Sequence, residues 1–443
     1  MRKFHITFTL ALAAALNFAF ADEPTLQKMN PAPPAIYDND PNHLWNRVHS
    51  ELLVQPMEAK AAGRDLLDPL FKWQENPLRD ADTSAKAVAL LDEFAKADAA
   101  SMSPLQRAVM QRDLLAVFHW LAGSEFDLRA AWSGPERELS VALARAIHHV
   151  ALTAEEIRKL PDNYASAVTA PDAVTNFDLA HPAPYLPKDL LADGGPWISL
   201  RGVHDVMVAK FHFRFFAGRS VFDVRMRHPE GRAAGEAYLK ELADLKIPWV
   251  SEKPAKPNEV SSLEGMWANP ATPQFPPGTA WALVRRAVLA DANGMPVASP
   301  LVESVQIRVY RNLGWVADPE TAAVIGVEPS QTFFEWESRR TQMLGKGGFH
   351  LTTPDDQRYS FFGRTDRPRA TSLNCFMCHS AVGIHSVAIR SRILGETPAI
   401  PPTFRATNRE AVDRRTTRAP AHCRAGSCSI GCGKSRRKND SQK

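Results

Sequence analysis

The first 374 residues contain no cysteine. A disulfide framework is therefore excluded from most of the chain, and any core there must be held by packing and polar contacts. Beyond the first sixteen residues no apolar run approaches the roughly 20 residues that cross a bilayer, so the remainder is expected not to span a membrane. No methionine follows Met377. Excess positive charge is also missing from the body. Residues 404–443 hold 11 Lys/Arg against 3 Asp/Glu, so of the formal net charge of +4 this tail carries +8 and residues 1–403 carry −4. A mildly acidic body gives no electrostatic footprint for nucleic acid, and no such partner is expected.

What the chain does have is Cys375-Phe376-Met377-Cys378-His379. C-x-x-C-H is the attachment pattern for a c-type haem. On a helical turn, cysteines at i and i+3 face the same way and reach the two haem vinyl groups, and the next residue brings an imidazole to the iron. A zinc site would need two more ligands at suitable spacing, and neither His350 nor His385 belongs to a second C-x-x-C or H-x-x-x-H pair. The expectation is one covalent haem c held by Cys375 and Cys378, with His379 as proximal iron ligand.

The N-terminus agrees with that chemistry. Arg2 and Lys3 precede an apolar run from Ile6 to Leu16, and Ala19-Phe20-Ala21 stands before Asp22. This is the layout of a cleaved signal peptide over residues 1–21, and thioether attachment of haem needs an exported chain. A periplasmic or secreted location follows as an expectation.

Residues 22–165 read as a helical domain. A Pro-rich lead from Met29 to Pro41 is expected to run extended over the surface. Ser103-Pro104 supplies an N-cap and a first-turn proline, with Leu114, Val117, Phe118 and Leu121 on one face. A further helix spans Pro135 to Val150. Thr153 to Glu156 is a capping box. Trp45, Phe71, Trp73, Phe118 and Trp120 are the expected core. His148 and His149 are adjacent, and neighbouring helical residues point about 100° apart, so they read as packing or surface groups, not a metal pair.

Residues 166–403 change period to two and read as a β-rich haem domain. Phe211, Phe213 and Phe215 alternate with His212 and Arg214, and Phe222, Val224 and Met226 alternate with Asp223, Arg225 and Arg227, which predicts a β-hairpin. A short helix is expected over Gly235–Leu245. Strands are expected at Trp281–Leu289, around Val305–Val309, at Phe333–Trp336 and at Tyr359–Phe362, with Asp291–Gly294 as a turn. The fold class is therefore α+β: a helical N-terminal region, then an antiparallel haem-binding region with a C-x-x-C-H helix near the C-terminus.

The motif itself resembles the c-type cytochromes over these five residues and their surroundings. That resemblance implies a covalent haem but not the small all-helical cytochrome fold, whose methionine ligand follows the motif. Phe275-Pro-Pro-Gly-Thr279 ahead of a strand, with the motif late in the chain, is similar to the cytochrome P-460 and cytochrome c′-beta group. That group implies a β-sheet packed on a pentacoordinate haem. The helical half has no counterpart there, and no lysine here is assigned to that group's haem cross-link.

For the distal side, Met343 and His350 are the candidates, placed on a Gly-rich segment (Gly345, Gly347, Gly348). The alternatives are a core methionine and a loop histidine, or a distal face lined by Phe333, Phe334, Phe361 and Phe362. His385 follows His379 too closely to swing to the opposite face. Arg364, Arg367 and Arg369 suit haem propionates or a solvated loop. The leading expectation is an exported mono-haem cytochrome that exchanges electrons with a redox partner protein. The alternative is a haem enzyme (peroxidase-like, or oxidising small nitrogen compounds) or a sensor with an open distal site for a small-molecule haem ligand.

Residues 404–443 have few large apolar side chains, and Cys423, Cys428 and Cys432 form no C-x-x-C pair. The tail reads as disordered; an abrupt composition shift is also what a change of reading frame produces. Limited proteolysis should remove residues 405–443 without lowering the melting temperature. A clear loss of stability would show instead that the tail packs on the body.

Overall fold

The structure, a computed structural model, describes residues 35–53, 67, 78, 80–121, 134–178, 183–200, 212, 219–245, 249–250, 267–269, 271–311, 331–345, 348–353, 357–359, 368–370, 379 and 383–388. All of these fall in one compact unit, residues 33–443. The fold is α+β: helices on an antiparallel six-stranded sheet.

The helical layer comprises α1 (Leu44–Leu53), α2 (Ala81–Phe94), α3 (Pro104–Leu121), α4 (Gly134–His149), α5 (Ala154–Arg158) and α6 (Asn163–Val168). Their starts follow local chemistry. Asp80 accepts a hydrogen bond from the Thr83 backbone N–H. Ser103 Oγ accepts from the Gln106 N–H while Gln106 Oε1 accepts from the Ser103 N–H, with Pro104 opening α3. Thr153 and Glu156 close the expected capping box. Each such cap satisfies donors that the helix itself cannot.

Helix α3 is buried on nearly every side, Gln111, Arg112 and Asp113 included. A single apolar stripe had suggested one buried face. The polar residues are buried as well because α3 lies between the other helices and the sheet. The Pro-rich lead departs from expectation for the same reason. Tyr37 is only 2% exposed, and its hydroxyl donates to Asp113 Oδ2 at 2.7 Å. Asn46 holds the segment in place, accepting from the Ile36 and Tyr37 N–H groups and donating to the Asp38 and Asp40 carbonyls. Of the expected core aromatics, Trp45 is buried against Phe94, Trp120 is buried and Phe118 partly so; Phe71 and Trp73 lie outside the described residues. His149 packs edge-on against Phe94 at 5.8 Å.

The sheet runs in the order β1 (Trp197–Ser199), β2 (Ser220–Arg227), β5 (Ala280–Ala290), β6 (Pro296–Tyr310), β7 (Gln331–Glu337), β8 (His350–Leu351). Two small pairs stand apart, β3 (Trp249–Val250) with β4 (Trp267–Ala268), and β9 (Gln357–Tyr359) with β10 (Pro368–Ala370). Phe211 and residues 213–215 of the expected hairpin lie outside the described residues; His212 is helical, and strand β2 pairs with β1 and β5. The tight turn after β5 is as expected: Asp291 Oδ1 accepts from the Asn293 and Met295 N–H groups.

Three more short helices complete the unit: α7 (Arg232–Asp244), α8 (Arg340–Leu344) and α9 (Ile384–Ala388). Period-two alternation gives the sheet two unlike faces. Ala280, Ala282, Val284, Val305, Ile307 and Val309 point to one face and pack on Tyr164, Tyr185 and Leu190. The opposite face carries Phe222, Arg285, Arg308, Gln331, Phe333 and Glu335, as the strand register requires. At the end of this second face, Trp281 and Tyr310 join Phe275, Tyr238 of α7 and Ile384 of α9 in a small core.

Buried charges link the helices to the sheet. Arg340 Nε lies 2.6 Å from Asp113 Oδ2, and Arg112 Nε lies 2.6 Å from Glu303 Oε1. Ser220 donates to the second Glu303 oxygen at 2.7 Å, and Arg285 lies 3.6 Å from it. Burial works to raise the Asp113 pKa, but Arg340 and Arg112 outweigh it and hold the carboxyl below its usual range. Asp113→Ala should cost about 3–5 kcal/mol, because buried guanidiniums lose their counter-charge. Arg47→Ala, which removes the exposed pair with Glu93, should cost less than about 1 kcal/mol. Denaturant titration compares them, and equal costs would contradict the role given to the buried cluster.

His49 sits beside that cluster, fully buried, with neither ring nitrogen hydrogen-bonded among the described residues. Burial, with Arg340 nearby, lowers its pKa to about 3. Between that value and an unfolded pKa of about 6.5 the unfolded chain takes up a proton that the folded chain does not. Stability should therefore be complete above about pH 6.5 and fall toward pH 4, with His49 contributing up to about 1.4 kcal/mol per pH unit. His49→Leu should remove part of that slope in urea titrations at pH 4 to 7. An unchanged slope would show that His49 is not a source of it.

Candidate functional site

His379 has helical backbone and a half-buried side chain. Its Nδ1 lies 2.6 Å from the Ser386 carbonyl oxygen. A carbonyl only accepts, so Nδ1 carries the proton and Nε2 carries the lone pair of the neutral ring. This is the arrangement by which a ligating histidine is oriented, the far nitrogen being set by the hydrogen bond at the near one.

The Ser386 end is itself held by neighbours. Ser386 Oγ donates to the Gly383 carbonyl at 2.8 Å, and Tyr310 hydrogen-bonds to the same Oγ. Gly383 has φ +54°, a left-handed conformation that suits a residue without a Cβ. The Ile384 N–H donates to Gln274 Oε1 at 3.0 Å. Tyr310 is fixed in turn through Phe275-Pro-Pro-Gly-Thr279: the Gly278 N–H, at φ +87°, donates to the Tyr310 carbonyl at 2.6 Å. The motif that preceded a strand in the sequence thus anchors the strand end that touches α9.

The His379 backbone is tied to the polar sheet face. Gln331 Nε2 donates to the His379 carbonyl at 3.1 Å, and Arg308 Nη1 donates to Gln331 Oε1 at 3.1 Å. The Arg308 guanidinium also lies 4.3 Å from the centre of the Phe333 ring. Arg308 Nη2 and Glu335 Oε2 are buried, with no hydrogen-bond partner among the described residues. Buried polar atoms of that kind call for a partner, often a bound group or water.

His212 comes to the same place. Its ring centre is 6.3 Å from that of His379, with the planes at 37°, and it packs against Phe222 at 5.8 Å. Burial, then Arg308 and Arg285, lower its pKa to about 4, which keeps the imidazole neutral at pH 7. The sequence placed His212 only as an alternating residue of a hairpin. Nothing in local spacing marks it, because only the fold brings it to His379.

The two sequence candidates for the distal side are not brought to His379. His350 pairs with Glu337 at the far end of β7. Gln331, which touches His379, is at the near end, about 20 Å away along the strand. Met343 is 2% exposed and belongs to the helix–sheet core with Leu289 and Leu301. It behaves as a packing methionine. His385 lies in α9 and Arg369 in β10. Phe333 faces His212's side of the sheet, whereas Phe334 points into the opposite core. Cys375, Cys378, Phe361, Phe362, Arg364 and Arg367 lie outside the described residues.

Among the described residues no group of three or more His, Cys, Asp or Glu is arranged to hold a metal ion, and no helix is long and apolar enough to cross a membrane. A haem asks for less from the protein, one or two axial ligands, so the donors at His379 and His212 fit it better than a bare ion. Compared with known proteins, the chain matches no family model, no curated sequence and no solved structure.

Proposed function

We propose that this chain is an exported mono-haem c-type cytochrome that transfers electrons to or from a redox partner protein. The observation that carries the reading is His379, last residue of Cys375–His379, whose ring is oriented by the hydrogen bond from Nδ1 to the Ser386 carbonyl. Cys375 and Cys378 would hold the haem as two thioethers, each formed by addition of a thiol S–H across a vinyl group, which needs no oxidant. The bound group supplies a one-electron Fe(III)/Fe(II) couple.

The chain's own residues would do the rest. His379 ligates, and Ser386 with Tyr310 fixes its ring. Gln331 ties the ligand backbone to the sheet. Arg308 brings a positive charge to the same face, with Nη2 unpartnered among the described residues. A second reading, a haem enzyme or sensor, is favoured by Glu335, whose buried Oε2 lies on that face with no hydrogen-bond partner among the described residues.

Covalent attachment is tested on protein matured with haem-ligation machinery. It should keep its colour through denaturation and acid–acetone extraction, and Cys375→Ala with Cys378→Ala should lose it. Intact haem in the wild-type extract would sink the proposal.

A further inference from the structure

We infer that His212 is the second axial ligand, so that the iron is held between His212 and His379. The inference rests on the haem reading above and adds the ligand that the motif does not contain. A metal–imidazole nitrogen bond is about 2 Å, and the ring centre lies about 1 Å beyond the nitrogen. Two imidazoles on opposite sides of one metal therefore set their ring centres about 6 Å apart. His212 and His379 are separated by 6.3 Å.

Three further observations agree with this. Both histidines lie against one sheet face, His212 on Phe222 of β2 and His379 on Gln331 of β7. That face also holds Arg308, whose Nη2 has no hydrogen-bond partner among the described residues and has the chemistry to meet a propionate. The competing donors are remote: His350 is at the opposite end of β7, and Met343 is enclosed in the other core. Two nitrogen ligands would make the iron low-spin and closed to small ligands. They would also set a lower potential than a histidine–methionine pair. The site is then one for electron transfer, with substrate binding at the iron excluded until His212 leaves.

The test uses the full chain carrying its haem, whose covalent retention is established first. Ferric wild type should give a low-spin electron paramagnetic resonance signal, and the reduced protein should not bind CO. His212→Ala should lose the low-spin signal and gain rapid CO binding, and added imidazole should restore the wild-type spectrum. His212→Met should stay six-coordinate with a raised reduction potential, which also decides the matter if the alanine variant does not fold. Retained haem with a high-spin wild-type signal, or a low-spin signal unchanged in either His212 variant, overturns the ligand assignment alone. Haem lost on extraction overturns the parent reading instead.

Discussion

Two buried carboxylates hold this fold together. Asp113 sits between Arg340 and Arg112, and Glu303 between Arg112 and Arg285, all at most 5% exposed. Tyr37 donates a further hydrogen bond to Asp113 and Ser220 one to Glu303. Removing charges from water is costly, so such a cluster adds little net stability over apolar packing of similar shape. Its effect is on arrangement. Arg112 and Asp113 belong to α3, Glu303 to β6, Arg285 to β5 and Arg340 to α8, and no partner can move without stranding a charge. The helices are thereby held in one position against the sheet.

With the helices at that end, the remaining sheet surface divides by strand alternation. One face is apolar and closed by Tyr164, Tyr185 and Leu190. The other keeps Arg285, Arg308, Gln331 and Glu335 away from bulk solvent. His212 and His379 lie beside this polar face, on Phe222 and Gln331. Phe275–Thr279, Tyr310 and Ser386 then form a continuous support from the strand end to the Nδ1 of His379. The small core around Ile384 gives this support its stiffness.

Much of this was legible in the sequence, where the signal was local. The Thr153 capping box, the turn at Asp291, the strand alternation in β5, β6 and β7 and the helix expected over 235–245 and found at 232–244 all depend on neighbours a few residues apart. The misses are long-range. Tyr37 looked like part of a surface lead because its partner Asp113 is 76 residues away. His212 alternated as a strand residue in the sequence, yet its backbone is helical. At the candidate site, the C-x-x-C-H spacing of Cys375 to His379 stood out because it is local, and the structure describes His379 alone of it. Met343 and His350 were chosen for closeness in sequence, and the sheet carries them to its opposite end. His212 had no local mark at all.

The most direct measurement of the central claim, a haem iron closed on both sides by histidine, is the visible spectrum of the purified protein, oxidised, reduced, and reduced under CO. The expected result is a low-spin c-type spectrum whose reduced bands do not change when CO is added. A high-spin spectrum that shifts at once under CO would contradict six-coordination and favour an open, ligand-binding site. The absence of any haem absorption in protein matured for haem attachment would contradict the account at its base.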